Sequence, residues 1–366
     1  MILSWTKSFF QITGLVVVIL IFYSSSLIYK KGDYNQIYEP ELVEYNIDSS
    51  CSCKPRLAQS LKNVDESLLP GSINYKQVVE GQYVGKSTCN NYTTALGAGQ
   101  RVLSYSFYTP PRSPHGRILE EDASDLRYTE LISDIIQRAE LYYPGWRIRI
   151  YHNITEENFQ IKSELCRLYC ETSNLDLCDV TNIHSLGNLN KLFPVGRFWR
   201  FQVVGDPTVE MFGSRDIDSF IQDREAFAVK EWLNSEKQFH IMRDGPFHSD
   251  AILAGLWGGK NYENMATMFK VKRALYSVHP STNKYLDQIT LRLKVWPLIR
   301  MHSVIHDSYL CEKGYVGPGW RPWPTKRIGY VYVGYGPTKD GPSERLSKTP
   351  CPVACRPPAH KNWKYC

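Results

Sequence analysis

Arg101-Val-Leu-Ser-Tyr-Ser-Phe107 alternates apolar and polar side chains, the two-residue period of a strand. Over residues 125–142 the period becomes helical, with Leu131, Ile132, Ile135, Ile136 and Ala139 on one face. Pro144-Gly145 ends that helix, and Trp146-Arg-Ile-Arg-Ile-Tyr151 resumes as a strand. A strand, a helix and a second strand in this order predict a parallel crossover. The same alternation continues with short strands at 175–180 and 209–213. A helix follows over 224–235, with Ala226, Phe227, Val229, Trp232 and Leu233 on its buried side, and then a strand at 239–243. Gly329-Tyr-Val-Tyr-Val-Gly-Tyr335 also reads as a strand. The pattern predicts an α/β protein with an open, mostly parallel sheet flanked by helices, which binds ligands beyond the carboxyl ends of its strands.

With 366 residues, 43% of them hydrophobic, the chain has room for one large α/β domain plus appendages. Its net charge of +6 is spread along the length without a dense Lys/Arg block, so no nucleic-acid partner is expected. The 24 Tyr and 9 Trp suit a domain that handles a flat polar ligand such as a nucleotide or sugar, and equally suit an aromatic core.

The apolar run 9–29 is long enough to cross a hydrocarbon core about 30 Å thick. It reads as an N-terminal transmembrane signal anchor, with a cleaved signal peptide ending near Ser24-Ser25-Ser26 as the alternative. All ten cysteines lie beyond it, as do the sequons Asn91-Tyr-Thr93 and Asn153-Ile-Thr155, which puts the bulk of the chain in the secretory lumen. The clusters Cys51/Cys53, Cys166/Cys170/Cys178 and Cys351/Cys355/Cys366 look like local disulfide staples on loops and tails. Zinc is the less favoured reading, because no CxxC pair faces a second one at finger spacing. Residues 30–98 are polar, without sustained periodicity, and read as a stem.

The chemistry concentrates in Ser214-Arg215-Asp216-Ile217-Asp218-Ser219. In a tight turn at a strand end, carboxylates at i and i+2 can converge on one hard cation and leave positions open for phosphate oxygens. A cation held there neutralises a diphosphate leaving group. Taken alone, such a DxD pair also serves as a helix cap or as part of a solvated loop.

Around this turn stand Phe198-Trp199-Arg200-Phe201, Arg224-Glu225, Glu231-Trp232-Leu233, the stretch from His240 through Arg243-Asp244 to His248, and Ile252 to Gly259. Ser104 to Tyr108 and Tyr142 to Tyr151 lie upstream. Tyr285-Leu-Asp287-Gln288, His306-Asp307, Arg321-Pro-Trp-Pro324 and Arg327 lie downstream. Over about residues 100 to 335 this ordered set resembles the GT-A type of nucleotide-sugar glycosyltransferase-like proteins. The resemblance implies a Rossmann-like GT-A fold in which Asp216 and Asp218 hold Mn²⁺ or Mg²⁺ against the diphosphate of a nucleotide-diphosphate sugar. His306 is the implied third ligand, with His302 as its rival. Arg321-Pro322-Trp323 would stand where glycogenin-like enzymes bracket the diphosphate with Lys-Pro-Trp.

Arg215 reads as phosphate-facing from its neighbours in the acidic turn, the resemblance lets the run of Gly255, Trp257 and Gly258 approach the donor sugar, and Asp244 and Asp287 are candidates for the base or for sugar contacts. Each has a plainer reading. Arg215, Arg224 and Arg243 are candidate salt-bridge partners of Asp216, Glu225 and Asp244. The run 254–259 suits a strand end, and His240 and His248 suit structural roles.

The resulting layout is a cytosolic tail 1–8, an anchor 9–29, a stem 30–98, a GT-A domain 99–335 and a Cys/Pro-rich tail 336–366. The expected protein is a type II Golgi or ER membrane glycosyltransferase that acts on a glycan, glycoprotein or glycolipid acceptor. A catalytically silent carbohydrate-binding protein of the same fold and a metal-dependent phosphohydrolase are the rivals, the latter disfavoured by the lack of a His/Asp-rich two-metal cluster.

Overall fold

The computed structural model describes residues 42–45, 51–59, 64–65, 84–108, 126–183, 186–312, 317–336 and 348–366. The chain divides into a unit Met1–Leu42 and a unit Val43–Cys366, and the domain below belongs to the second. The expected cytosolic tail and anchor lie outside the described residues. Among the described residues no helix is long and apolar enough to cross a membrane.

Eight strands form one sheet: β1 (Gln100–Phe107), β2 (Arg147–His152), β3 (Leu175–Asp179), β4 (Val209–Arg215), β5 (Phe239–Arg243), β6 (Leu256–Lys260), β7 (Ser303–Asp307) and β8 (Trp320–Arg321). Their order is β8-β7-β5-β6-β4-β1-β2-β3. Strand β6 runs antiparallel to both of its neighbours, and every other pair is parallel. The main helices are α1 (Leu126–Tyr142), α2 (Phe159–Glu171), α3 (Asp223–Leu233), α4 (Met265–Tyr276) and α5 (Leu286–Thr290).

Both faces of the sheet are covered, which is why its strands are buried along most of their length. On one face Val102, Tyr151, Phe212, Ile241 and Ile305 pack against α4 and the aromatic 3₁₀ segment Gly196–Val203. On the other, Leu103, Tyr105, Ile148, Ile150 and Leu177 meet α1, α2 and α3. Val102 and Leu103 are neighbours in sequence on opposite faces, as the period of a strand requires.

Two local expectations change. Phe227 is half exposed, whereas the expected Val229 and Trp232 are buried on α3 together with Arg224, Glu225 and Ala228, and Ala226 and Leu233 pack partly buried against the core. The 329–335 segment is not a strand, because its backbone bonds to a turn and a side chain rather than to a ladder. Phe220 N donates to Tyr335 O at 3.0 Å, and Val333 N to Asp244 Oδ2 at 2.9 Å.

Of the expected local staples, Cys351–Cys366 forms within its cluster, while the other cysteines pair across the chain. Cys51–Cys166, Cys53–Cys170 and Cys89–Cys178 join residues 115, 117 and 89 apart, while Cys311–Cys355 and Cys351–Cys366 secure the tail. No cysteine is free, which removes the zinc alternative. The long bridges draw part of the expected stem onto the domain. Arg56 Nη2 donates to the carbonyl of Tyr169 at 2.5 Å, and Thr88 Oγ1 donates to Asp206 Oδ2 at 2.6 Å.

Candidate functional site

From β1 the chain winds outward through β2 and β3. It then returns to the other side of β1 with β4 and continues away. The strand order therefore reverses between β1 and β4, and in open α/β sheets ligands bind beyond the carboxyl ends of the strands at such a reversal. Asp216 directly follows Arg215, the last residue of β4. The acidic turn thus stands at the switch point of the sheet.

Asp216 is half exposed, and Asp218 is exposed two residues on. Crowding by surrounding atoms and the charge of Asp216 push the Asp218 carboxyl up to about 6. Two oxygen-bearing groups that repel each other at a strand end fit a hard divalent cation, which keeps several coordination places for water and phosphate oxygens.

The neighbours of Asp216 are arranged closely. Arg200 Nη1 pairs with Asp216 Oδ1, and Arg200 Nη2 donates to Asp287 Oδ2 at 2.8 Å. Burial weakens the Arg200 charge, but the two carboxylates outweigh it and hold the guanidinium protonated. Asp287 sits at the first turn of α5, where burial raises its carboxyl despite the nearby Arg200. Its neighbour Gln288 accepts from Ala254 N at 3.1 Å and donates to Ile252 O, and Ser214 Oγ donates to Ala254 O at 2.8 Å. The 252–254 loop is thereby fixed from two sides, and Gly255, which follows it, lies directly against Asp216. Arg197 lies close enough for its charge to oppose, without cancelling, the rise of the Asp218 and Asp287 carboxyls. Its Nε donates to Tyr108 Oη at 3.2 Å, just past the end of β1.

Of the residues singled out from sequence, the structure gathers Asp216, Asp218, Asp287 and Gly255. The others stand elsewhere. His306 is fully buried, with its Nδ1 against His240 Nε2 at 2.8 Å and its Nε2 against Glu231 Oε2 at 3.1 Å, so both ring nitrogens are engaged. Three inter-strand steps separate β7 from β4, about 14 Å at the usual spacing. His302 lies in the short helical turn before β7. Among the described residues no three His, Cys, Asp or Glu side chains are placed to share a metal ion.

Arg215 turns inward rather than toward a phosphate. Its Nε donates to Glu225 Oε1 at 2.6 Å, and the same oxygen accepts from Tyr143 Oη at 2.8 Å. Asp244 is completely buried and accepts from Arg224, Arg327, Ser308 and Val333 N. Burial alone would raise its carboxyl, but the two guanidiniums hold it well below the usual range. It has neither the exposure nor the basicity to take a proton from an acceptor, and it serves as a structural hub.

Trp257 and Gly258 lie within β6, not in a donor loop. Trp257 packs edge-on against Phe201 and Phe212, and Gly258 leaves room for the Phe212 carbonyl, which a Cβ would meet at 2.4 Å. Arg321 lies on the edge strand β8 and donates to Glu231 Oε1 at 2.7 Å. The salt-bridge partners named from sequence are exchanged as well: Arg224 holds Asp244, and Arg243 holds Asp307.

Arg197 and Arg200 were missed as site residues. The signal was present, because an arginine amid buried Phe198, Trp199 and Phe201 must find an acidic partner.

No protein-family model matches the sequence, and no curated protein matches it. Among solved structures the chain is similar to the galactosyltransferase LgtC in complex with donor and acceptor sugar analogs. The likeness has 10% sequence identity and a TM-score of 0.32, over 57% of this chain and 74% of that one.

Proposed function

We propose that this protein is a GT-A type glycosyltransferase that moves a sugar from a nucleotide-diphosphate donor to a glycan, protein or lipid acceptor. The observation that carries the reading is the Asp216/Asp218 pair at the reversal of strand order, with Gly255 clearing space beside it. Asp216 and Asp218 would hold Mn²⁺ or Mg²⁺, and the bound ion would neutralise the charge that develops on the departing diphosphate. The remaining roles fall to the chain itself. Arg200 and Asp287 orient one another at the base of the site, and Gln288 and Ser214 fix the loop that leads to Gly255.

A lumenal location, with the 9–29 run as a type II membrane anchor in the Golgi or ER, belongs to the same proposal. It is supported by the pairing of all ten cysteines, which suits an oxidising compartment, and by the exposed position of Asn91 in its sequon. A catalytically silent carbohydrate-binding protein of this fold is the second reading. It is favoured by the engagement of both His306 nitrogens, which leaves the carboxylate pair without the expected third ligand.

The test is binding of a panel of nucleoside diphosphates to the full chain, with and without Mn²⁺, in wild type and Asp218→Asn. Metal-dependent binding of one nucleotide, lost in the variant, supports the transferase and identifies the donor base. A folded protein that binds no nucleotide under any metal condition leaves the carbohydrate-binding reading.

A further inference from the structure

Arg200 is held more firmly than an ordinary surface arginine. Its N–H donates to Ser106 Oγ at 2.9 Å and its carbonyl accepts from Ser104 Oγ at 2.7 Å, so β1 grips the peptide on both sides. The side chain is 4% exposed, and its two terminal nitrogens divide between carboxylates. Nη2 is committed to Asp287 within the core. Nη1 reaches Asp216 Oδ1 and, at 3.3 Å, the carbonyl of Arg215. Asp216 itself is 46% exposed, so one of its sides is open to solvent while the other already carries a positive charge.

From this geometry we propose that Arg200 is an internal counter-ion of Asp216 that competes with an incoming divalent cation for the carboxylate. The inference rests on the donor-site reading above. Two cations compete for one carboxylate, so the cation alone binds weakly. When a diphosphate arrives with it, the added charge is negative rather than positive and the competition is relieved. Arg200 thereby couples cation binding to donor binding. It acts through Asp216, as a positioning residue.

The size of the effect follows from occupancy. If Asp216 is free of Arg200 about one-tenth of the time, the apparent affinity for the cation is about tenfold weaker than the intrinsic one. Lysine at this position would keep the charge but lose the planar fork that spans two carboxylates, so it should hold Asp216 less firmly.

The experiment is titration of the full chain with Mn²⁺ alone, followed by electron paramagnetic resonance, for wild type, Arg200→Gln, Arg200→Lys and Asp218→Asn. Each titration is repeated in the presence of a nucleoside diphosphate. Arg200→Gln is expected to bind Mn²⁺ alone about tenfold more tightly than wild type, with Arg200→Lys between them and Asp218→Asn weakest. The enhancement of Mn²⁺ affinity by the nucleotide should shrink in Arg200→Gln by the same factor. Equal or weaker Mn²⁺ affinity in folded Arg200→Gln, with nucleotide-dependent binding intact in wild type, overturns the counter-ion role and leaves the donor site standing. Should Arg200→Gln fail to fold, Arg200→Lys decides: tighter binding than wild type supports the role, and equal or weaker binding overturns it. If folded wild type binds Mn²⁺ neither alone nor with any nucleoside diphosphate, the donor-site reading itself falls and the counter-ion role falls with it.

Discussion

A Cβ atom added to Gly255 would lie 2.0 Å from Oδ2 of Asp216, well inside any non-bonded contact. Gly255 has no positive φ, so the position demands space rather than an unusual backbone. Gly255→Ala should therefore fold but push the Asp216 carboxylate out of place. Misplacement of a functional group by about 1 Å can cost on the order of 10²-fold in rate. The expected result is a loss of metal-dependent nucleotide binding with little change in thermal midpoint, read by calorimetric titration and a melting curve on one preparation. Unaltered binding would show that the Asp216 geometry is not used.

Asp244 lies between Arg224 and Arg327 without access to solvent. Asp244→Asn keeps the shape but leaves two buried guanidiniums without their carboxylate, and breaking a buried pair in this way costs about 3–5 kcal/mol. Urea unfolding should show that loss. A variant of full stability that had lost only turnover would instead restore Asp244 as a base.

Acid should weaken the fold through its buried histidines. Burial pushes His248 down to about 4, against the pull of Asp244 and Asp216 and with the help of Arg327 and Arg243. Burial also lowers His240 and His306, the latter against Glu231. In the unfolded chain these histidines take up protons near 6.5. Between about pH 6.5 and 4 the unfolded state therefore binds more protons than the native state, and stability falls as pH falls. Each such histidine contributes up to about 1.4 kcal/mol per pH unit within its window. Thermal midpoints from pH 8 to 5 should fall with a slope that flattens in His248→Gln. A flat profile in wild type would contradict the burial of these rings.

The Cys89–Cys178 bridge closes a separation of 89 residues and ties the chain before β1 to the end of β3. Replacing both cysteines by serine should cost about 2–4 kcal/mol, because the unfolded chain regains the entropy of a long loop. Denaturant midpoints of the double variant and of wild type, both without reductant, measure it. A variant as stable as wild type would mean that the bridge only follows a fold already secured elsewhere.

Much of the scaffold was readable in the residues. The periods of 101–107, 125–142 and 146–151 gave β1, α1 and β2 nearly to the residue, because a half-buried strand and an amphipathic helix impose different spacings on their apolar side chains. The 329–335 segment shows the limit of that signal. It alternates like a strand, yet its backbone is satisfied by the turn at Phe220 and by Asp244. Phe227 fits the apolar face of α3 by spacing and still faces solvent.

For the site, the residues alone place two carboxylates just after a strand, since both are local to one turn. They equally show that Arg200 sits in an aromatic run and that the cysteines are even in number. Which charges meet is a matter of three-dimensional packing. Arg200 reaches Asp216 and Asp287, which are 16 and 87 residues away, while the adjacent Arg215 turns to Glu225 and His306 turns to His240 and Glu231. The physical reason is that local periodicity reports which face of an element is buried. Pairing of buried charges depends instead on the order in which strands are laid side by side, and many orders share the same local pattern.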